Sequence, residues 1–390
     1  MEQPPFVLVR VHEVALKRGN RRRFMRVLTD NLRRATAGLG VRSVEADHLV
    51  ARLTLADDAD WPTLRDALAK TPGAVKFTSV YRADLDYDEV AALVARVAKA
   101  RRFSTFRISA RFPLTSREMN VSLGALVEHE TRARVDLTRP DLNIRVDVFA
   151  SGAFVWTDEE PGAGGLPVGT GGRVAVLMSG GIDSPVAAWR MIRRGCRATL
   201  VHFHSFPLVE GRSREKAREL AAALNAYQLD TRLYLTPFAD VQRAIILSTR
   251  GPLRVVAYRR FMMRIAEAVA RREGAQALVT GESLGQVGSQ TLANIATVGE
   301  AAALPVLRPL AGMDKVEIID QAQAIGTYET SILPDEDCCS LFVPRSPSTA
   351  VSVEEARAVE RNLDVEALVA QAVEAAEVVE YHVGSRTVDA

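Results

Sequence analysis

Cysteine is scarce in this chain: three among 390 residues, at Cys196, Cys338 and Cys339. So few thiols, with no metal-ligand spacing, exclude a disulfide scaffold and predict a reducing, cytoplasmic setting. Long apolar runs are absent too. None is long enough to cross a bilayer, and the opening MEQPPFVLVR lacks the layout of a signal peptide, so no membrane partner is expected. Net charge is nearly absent, at +2, and by itself says little about partners. Two common phosphate-binding loops, G-x-x-x-x-G-K-[ST] and G-x-G-x-x-G, do not occur. There is no internal repeat and no low-complexity tract.

What is present is ordinary in bulk and uneven in detail. Hydrophobic residues make up 47% and charged residues 25%, which suits two or three globular domains with a sizeable core. Residues 1–50 carry ten Lys/Arg against five Asp/Glu, whereas residues 351–390 carry three against nine. A basic head and an acidic tail fit a polyanion partner for the head; they also fit two solvated helix faces.

The pattern divides the chain into 1–60, 61–165 and 166–390. In the first part, FVLVRVHEVAL alternates like a strand. The stretch from Asn20 then places Phe24, Val27, Leu28, Leu32 and Ala35 at helical spacing, with Asn20 as N-cap and arginines on the opposite face. DHLVARLTLA reads as a returning strand. In the second part, helices are predicted over 61–70, 87–101 and 121–134, and strands over 75–84, 104–112, 143–149 and 153–157. Arginines recur there, interleaved with Phe103, Phe106 and Phe112. That fits RNA contact by phosphate pairing and stacking. It also fits a half-buried sheet whose phenylalanines face a core, the preferred reading for the aromatics. Residues 159–173 hold six glycines and two prolines and mark the clearest boundary. Beyond them, the apolar runs VAVLM, ATLVHFH, TRLYLT, QALVTG and LPVLRPL alternate with helical stretches. This predicts a doubly wound parallel sheet with its ligand at the carboxyl ends of the strands. Residues 351–381 read as an acidic helical segment.

The first of those strands runs into Ser179-Gly180-Gly181-Ile182-Asp183-Ser184. Glycines allow close backbone approach to a ligand. Asp183 or Ser184 is expected to cap the next helix, with Pro185 in its first position, and the helix N-terminus favours phosphate. A carboxylate repels phosphate unless a cation intervenes, so Asp183 points to Mg²⁺ bound with the phosphate.

This S-G-G-x-D-S loop resembles the PP-loop of the ATP pyrophosphatases, which cleave ATP between the α- and β-phosphates and adenylate an acceptor. Further stretches narrow the resemblance. LVTGESLGQVGSQTLANI (278–295), LRPLAGMDKVEI (307–318) and DEDCCSLFVPRSPST (335–349) are similar to ThiI, the tRNA 4-thiouridine synthetase family. LKRGNRRRF (16–24) resembles that family's ferredoxin-like domain. TRARVDLTRPDLNIRVDVF (131–149) and GAGGLPVGT (162–170) resemble its THUMP RNA-binding domain and junction. The resemblance implies two α+β domains, ferredoxin-like over 1–60 and THUMP over 61–165, followed by a PP-loop domain with a helical tail over 166–390. Many relatives carry a C-terminal rhodanese domain with a second catalytic cysteine; the 51 residues given after DEDCC are expected to be too short for one.

The resemblance also implies the chemistry. ATP would adenylate O4 of the tRNA elbow uridine, U8, and a persulfide would displace AMP to leave 4-thiouridine; sulfur transfer toward the thiamine thiazole is a secondary possibility. Ser179, Gly180, Gly181, Asp183 and Ser184 would cradle pyrophosphate, with Asp183 setting Mg²⁺ or phosphate geometry. Lys315 would stabilise charge near the α-phosphate; taken alone it reads as a surface lysine of a first helical turn. Leu177, Met178, His202, Phe203, Arg259, Gly281 and Gln290 fall where relatives contact ATP. His202 and His204 otherwise read as ordinary strand residues without metal partners, and no protein-held metal centre is expected. Cys339 matches the sulfur-carrying cysteine, its thiol lowered by Arg345 or a helix terminus. The acids Asp335, Glu336 and Asp337 act against that lowering and are unexplained. Cys338 could resolve the persulfide, though adjacent cysteines bridge only in a strained geometry. Cys196 reads as a buried structural thiol. The implied partners are tRNA, a pyridoxal-phosphate cysteine desulfurase as persulfide donor, and a second copy of the chain. An amide-forming PP-loop synthetase would need no carrier cysteine, and an RNA-binding relict would not retain Asp183, Lys315 and Cys339.

Overall fold

The computed structural model describes residues 4–111, 116–206, 211–249, 251–334, 348–383 and 388–389. The chain forms two compact units, 1–165 and 166–390.

The first unit is built on β1 (Phe6–Arg10), α1 (Arg21–Ala35), β2 (Val41–Asp47), β3 (Val50–Leu55), α2 (Trp61–Ala69), β4 (Lys76–Ala83), α3 (Tyr87–Lys99), β5 (Thr105–Arg111), α4 (Ser116–Thr131), β6 (Arg134–Val135), β7 (Leu142–Phe149), β8 (Gly152–Trp156) and β9 (Glu160–Pro161). One nine-stranded sheet runs β2-β3-β1-β4-β8-β7-β5-β6, with β9 also on β4. The alternation expected over residues 6–16 ends at Arg10; residues 13–20 form a 3₁₀ helix. Asn20 stands at the start of α1 with helical backbone and makes no capping bond. By contrast, Asp86 caps α3 by accepting from Asp88 N at 2.9 Å and Glu89 N at 3.1 Å. α3 then buries Val90, Leu93, Val94 and Val97 at helical spacing against the sheet. Phe103 and Phe106 meet edge to face at 6.1 Å, with Phe106 fully buried. These two rings belong to the core; Phe112 lies outside the described residues. The unit closes at Gly164 and Gly165, both with left-handed backbone that glycine adopts without strain.

The second unit contains β10 (Arg173–Leu177), α5 (Asp183–Arg193), β11 (Arg197–His204), α6 (Arg212–Gln228), β12 (Asp230–Pro237), α7 (Ala239–Ser248), α8 (Arg254–Arg272), β13 (Ala277–Val279), α9 (Leu292–Gly299), β14 (Val306–Leu307), α10 (Lys315–Ala324), α11 (Tyr328–Ser331), α12 (Val353–Glu360), α13 (Val365–Glu374), β15 (Glu377–His382) and β16 (Val388–Asp389). The sheet order is β14-β13-β10-β11-β12-β15-β16. Strands β10 to β14 are mutually parallel, as the near-continuous apolar runs require. The chain starts at β10, builds outward through β11 and β12, then returns to build the other side. The tail is not wholly helical. VVEYH forms β15, antiparallel to β12, because its β-branched and aromatic residues alternate, burying Val379 and Tyr381.

Cys196 is buried in the core of this unit, its Sγ 3.2 Å from the Gly171 carbonyl, and burial pushes its thiol pKa up. Among the described residues no helix is long and apolar enough to cross a membrane.

One buried charge ties the helical layer together. Arg260 on α8 is 0% exposed. Its Nε and Nη2 grip Glu360 of α12 at 2.8 and 2.9 Å, and its Nη1 reaches Glu300 at 2.8 Å. Burial pushes the Glu360 carboxyl up, but Arg260 and Arg264 outweigh it and hold it below the usual range. Arg260→Ala leaves Glu360 to Arg264 alone and Glu300 to Arg357 alone and is expected to cost about 3 kcal/mol, read as a lowered urea midpoint for the second unit; an unchanged midpoint would contradict this account.

Candidate functional site at the switch in strand order

Strand order reverses at β10, with β11 on one side and β13 on the other. Open parallel sheets have a crevice at the carboxyl ends of the strands at such a point. Here it is a cavity of about 290 Å³. Leu177 and Met178 end β10, His202 and Phe203 end β11, and Thr280, Gly281 and Glu282 follow β13. Arg259 comes from α8, and Gln290 from a short 3₁₀ turn after β13.

The S-G-G-x-D-S loop crosses the floor of this cavity. Ser184, almost fully buried, closes it: its Oγ accepts from Ser179 N at 2.9 Å and donates to Ser179 O at 3.0 Å. Gly181 N donates to Ser179 Oγ at 3.2 Å. The helix begins at Asp183, after Ile182, so neither Asp183 nor Ser184 caps it, and Pro185 stands third rather than first. The Ser184 hydroxyl is spent on the loop, and a proline in the first turn is tolerated because those N–H groups lack intrahelical acceptors. The same vacancy suits the turn to an anion. A Cβ on Gly181 would meet only Ser179 Oγ, at 3.5 Å. That glycine leaves room above the loop rather than permitting an unusual turn.

Asp183 is the hub. Its Oδ1 accepts from Lys315 Nζ at 2.6 Å and its Oδ2 from Gln286 Nε2 at 2.9 Å. Lys315 opens α10, where Glu317 Oε2 accepts from Asp314 N at 2.9 Å, so the lysine's backbone is set by its own helix start. The structure thus brings the loop acid and the lysine together across 132 residues. Ten of the residues singled out in the sequence line the cavity: Leu177, Met178, Ser179, Asp183, Ser184, His202, Phe203, Arg259, Gly281 and Gln290. Gly180 and Gly181 lie within the loop, and Lys315 joins through Asp183. Cys339, with Cys338 and Arg345, lies outside the described residues. Among the described residues no cluster of three or more His, Cys, Asp or Glu stands ready to hold a metal.

Sequence reasoning missed six lining residues, Val255, Met262, Thr280, Glu282, Val287 and Ser289, and also Gln286, which meets Asp183 from outside the lining. Gln286 gave no signal. Glu282 did, as a charged residue just past a parallel strand. It is 3% exposed and pairs with Arg259. It also accepts from Arg308 Nε at 2.6 Å and Thr280 Oγ1 at 2.9 Å. Burial pushes its carboxyl up, yet the two arginines and Thr280 outweigh it and hold it low. Arg259, also donating to Ser289 O at 2.8 Å, is thereby fixed at the cavity edge. Phe203 is buried edge to face on Phe238 at 5.5 Å. His202 Nδ1 faces the Met178 carbonyl at 3.0 Å, so Nδ1 carries the proton and Nε2 is the acceptor in the neutral ring.

Two outcomes follow. A Cβ on Gly281 would lie 2.8 Å from Ser184 N and 2.9 Å from Asp183 C, both backbone. Gly281→Ala must therefore displace the loop and is expected to weaken binding of ATP, the ligand expected from the sequence, roughly tenfold or more by titration calorimetry; unchanged affinity would refute it. Glu282 has a depressed folded-state pKa, so its stabilising contribution is complete above about 4.3, the ordinary value, and is lost as pH falls through the lower folded value. The gap in melting temperature between wild type and Glu282→Gln should narrow as pH drops from 7 into that acid range; a constant gap would assign the effect to packing.

The comparisons with known proteins agree in domain order. Residues 6–78 match the ThiI ferredoxin-like domain, residues 85–158 the THUMP domain, and residues 169–365 the family described as "Thiamine biosynthesis protein (ThiI)". A probable tRNA sulfurtransferase of Thermus thermophilus is 48% identical over 375 residues, 95% of this chain and 92% of the relative. Its counterpart in Moorella thermoacetica is 44% identical, covering 95% and 96%. Among solved structures, a 4-thiouridine synthetase–RNA complex with bound ATP superposes with a TM-score of 0.88 at 33% identity, over 97% of this chain and 99% of that one. PH1313 of Pyrococcus horikoshii shares the fold, with a TM-score of 0.64 at 20% identity. The chain belongs to the ThiI family, with its ferredoxin-like, THUMP and PP-loop parts in order.

Proposed function

We propose that this protein is an ATP-dependent tRNA sulfurtransferase that converts the elbow uridine, U8, to 4-thiouridine. One observation carries the reading: the phosphate-binding loop, the Asp183–Lys315 pair and Arg259 converge on one crevice, in a chain similar over nearly its whole length to an ATP- and RNA-bound 4-thiouridine synthetase.

The reaction has two halves. Uracil O4 attacks the α-phosphorus of ATP, an O–P bond forms, and pyrophosphate leaves. The loop N–H groups and the start of α5 receive the departing charge. Lys315, held by Asp183, supplies a cation beside it, and Phe203 with Met178 walls the base. One carboxylate plus substrate phosphates is a donor set that suits Mg²⁺; Asp183 would hold that ion, which neutralises phosphate charge when bound. In the second half, the outer sulfur of a Cys339 persulfide attacks C4, and AMP leaves with the former O4. A second thiol must then take up the S–S bond as a disulfide. Cys196 is unsuited, being buried with its pKa raised.

The reading assigns tRNA to the first unit. A cavity of about 620 Å³ there is lined by Arg10, Lys76, Arg107, Arg111 and Arg145 among others. A groove of about 1020 Å³ is lined by Arg18, Arg21, Arg22, Arg26 and Arg33 among others. Such surfaces suit a phosphate backbone. The reading further takes a pyridoxal-phosphate cysteine desulfurase as persulfide donor, a homodimer as the working form and the cytoplasm as location. Sulfur delivery toward the thiamine thiazole is the second reading, favoured by the description of the matching family.

The test incubates the protein with unmodified tRNA, ATP, Mg²⁺, a desulfurase and cysteine, then reads the near-ultraviolet absorbance of the recovered tRNA. Wild type should yield the thiolated base and Cys339→Ser should yield none. No thiolation by wild type, or an undiminished yield from the serine variant, would sink the proposal.

A further inference from the structure

The three polar side chains Thr291, Asn294 and Thr297 recur at a spacing of three, from the N-cap of α9 along one face of the helix. All three bind the main chain of residues 348–351. Thr291 Oγ1 donates to Thr349 O at 2.6 Å. Asn294 Nδ2 donates to Ser348 O at 3.0 Å, and its Oδ1 accepts from Val351 N at 3.0 Å. Thr297 Oγ1 donates to Val351 O at 2.6 Å. Asn294 is fully buried and Thr297 nearly so. Together they replace a neighbouring strand: a length of chain with no sheet partner is satisfied by side chains of one helix.

The same helix start is joined to the nucleotide crevice. Asn294 Nδ2 also donates to Gly288 O at 3.2 Å. Gly288 begins the 3₁₀ turn whose Ser289 and Gln290 line the cavity. That turn has supports of its own, from Arg259 to Ser289 O at 2.8 Å and from Gly285 N to Gln290 O at 3.0 Å. Residues 348–351 are the downstream flank of the segment that carries Cys339, thirteen residues further along in sequence from its start at 335. A buried amide with three polar partners is costly to misplace, so this flank is fixed at one distance from the crevice.

We propose that the Thr291–Asn294–Thr297 face of α9 is a positioning element for sulfur transfer. It holds residues 348–351, downstream of the cysteine-bearing segment, at a set place relative to the nucleotide crevice, and its members do not line that crevice. This rests on the function proposed above.

The experiment separates the two half-reactions. Transfer of label from α-labelled ATP to tRNA, without sulfur donor, reads adenylation. The complete mixture with desulfurase and cysteine reads thiolation. Asn294→Asp keeps the acceptor for Val351 N and loses the donor to two carbonyls; Thr297→Val keeps shape and loses one donor. Both should hold adenylation within about twofold of wild type while thiolation falls about tenfold, the scale expected when buried carbonyls lose their donors. Thr297→Val, as the near-isosteric change, serves if Asn294→Asp does not fold. Equal loss of both half-reactions, or loss of neither, overturns the inference while leaving the proposed function intact. A wild-type protein that neither labels nor thiolates tRNA overturns the proposed function itself.

Discussion

A break in the order of parallel strands is the constraint on which the second unit depends. Because β10 has β11 on one side and β13 on the other, the chains leaving their carboxyl ends diverge and cannot fill the space between them. The S-G-G-x-D-S loop occupies that space without closing it. Gly281 lets the turn after β13 pack directly on the backbone of Asp183 and Ser184, so the crevice has a rigid floor of main chain. An anion site made of main chain is set by the fold and needs no lysine of its own.

Charge is distributed around that floor in pairs rather than singly. Asp183 holds Lys315 and Gln286; Glu282 holds Arg259 and Arg308. Each acid fixes the direction of a cation beside the cavity, and a buried acid between two arginines leaves a net positive edge. This arrangement suits a polyphosphate: Arg259 and Arg308 are already largely desolvated and Lys315 is already oriented, so little reorganisation accompanies binding. On the far side of α8, Arg260 does the opposite task, neutralising Glu300 and Glu360 wholly within the protein. Adjacent arginines on one helix thus serve ligand and fold respectively, because successive residues of a helix point about 100° apart.

The two units solve different problems with similar material. In the first, arginines lie over a sheet whose described phenylalanines are buried or half-buried in the core, so the surface there offers charge and shape rather than rings for stacking. In the second, aromatic and apolar residues reach the cavity itself, as Phe203, Met178 and Met262 do, which suits a flat base.

Much of this was legible along the chain. Apolar runs without alternation announced parallel strands, the glycine-rich stretch announced the boundary, and six consecutive residues announced an anion site, because each is a local property of backbone freedom and side-chain polarity. Resemblance, not periodicity, pointed to His202, Phe203, Arg259, Gly281 and Gln290, and the fold gathered them. Local signals misled where a competing contact prevailed. Ser184 looked like a cap but bonds Ser179, and the last acidic stretch looked helical throughout but ends in β15, whose place between β12 and β16 no local pattern encodes. The sequence by itself determined most of the parallel strands and the helices packed on them, and the loop whose backbone suits an anion. Only the tertiary structure decided that Lys315 meets Asp183, that Glu282 is clamped between Arg259 and Arg308, and that α9 carries residues 348–351, because each depends on side chains far apart in the chain brought within 3–4 Å by the packing of helices on one twisted sheet.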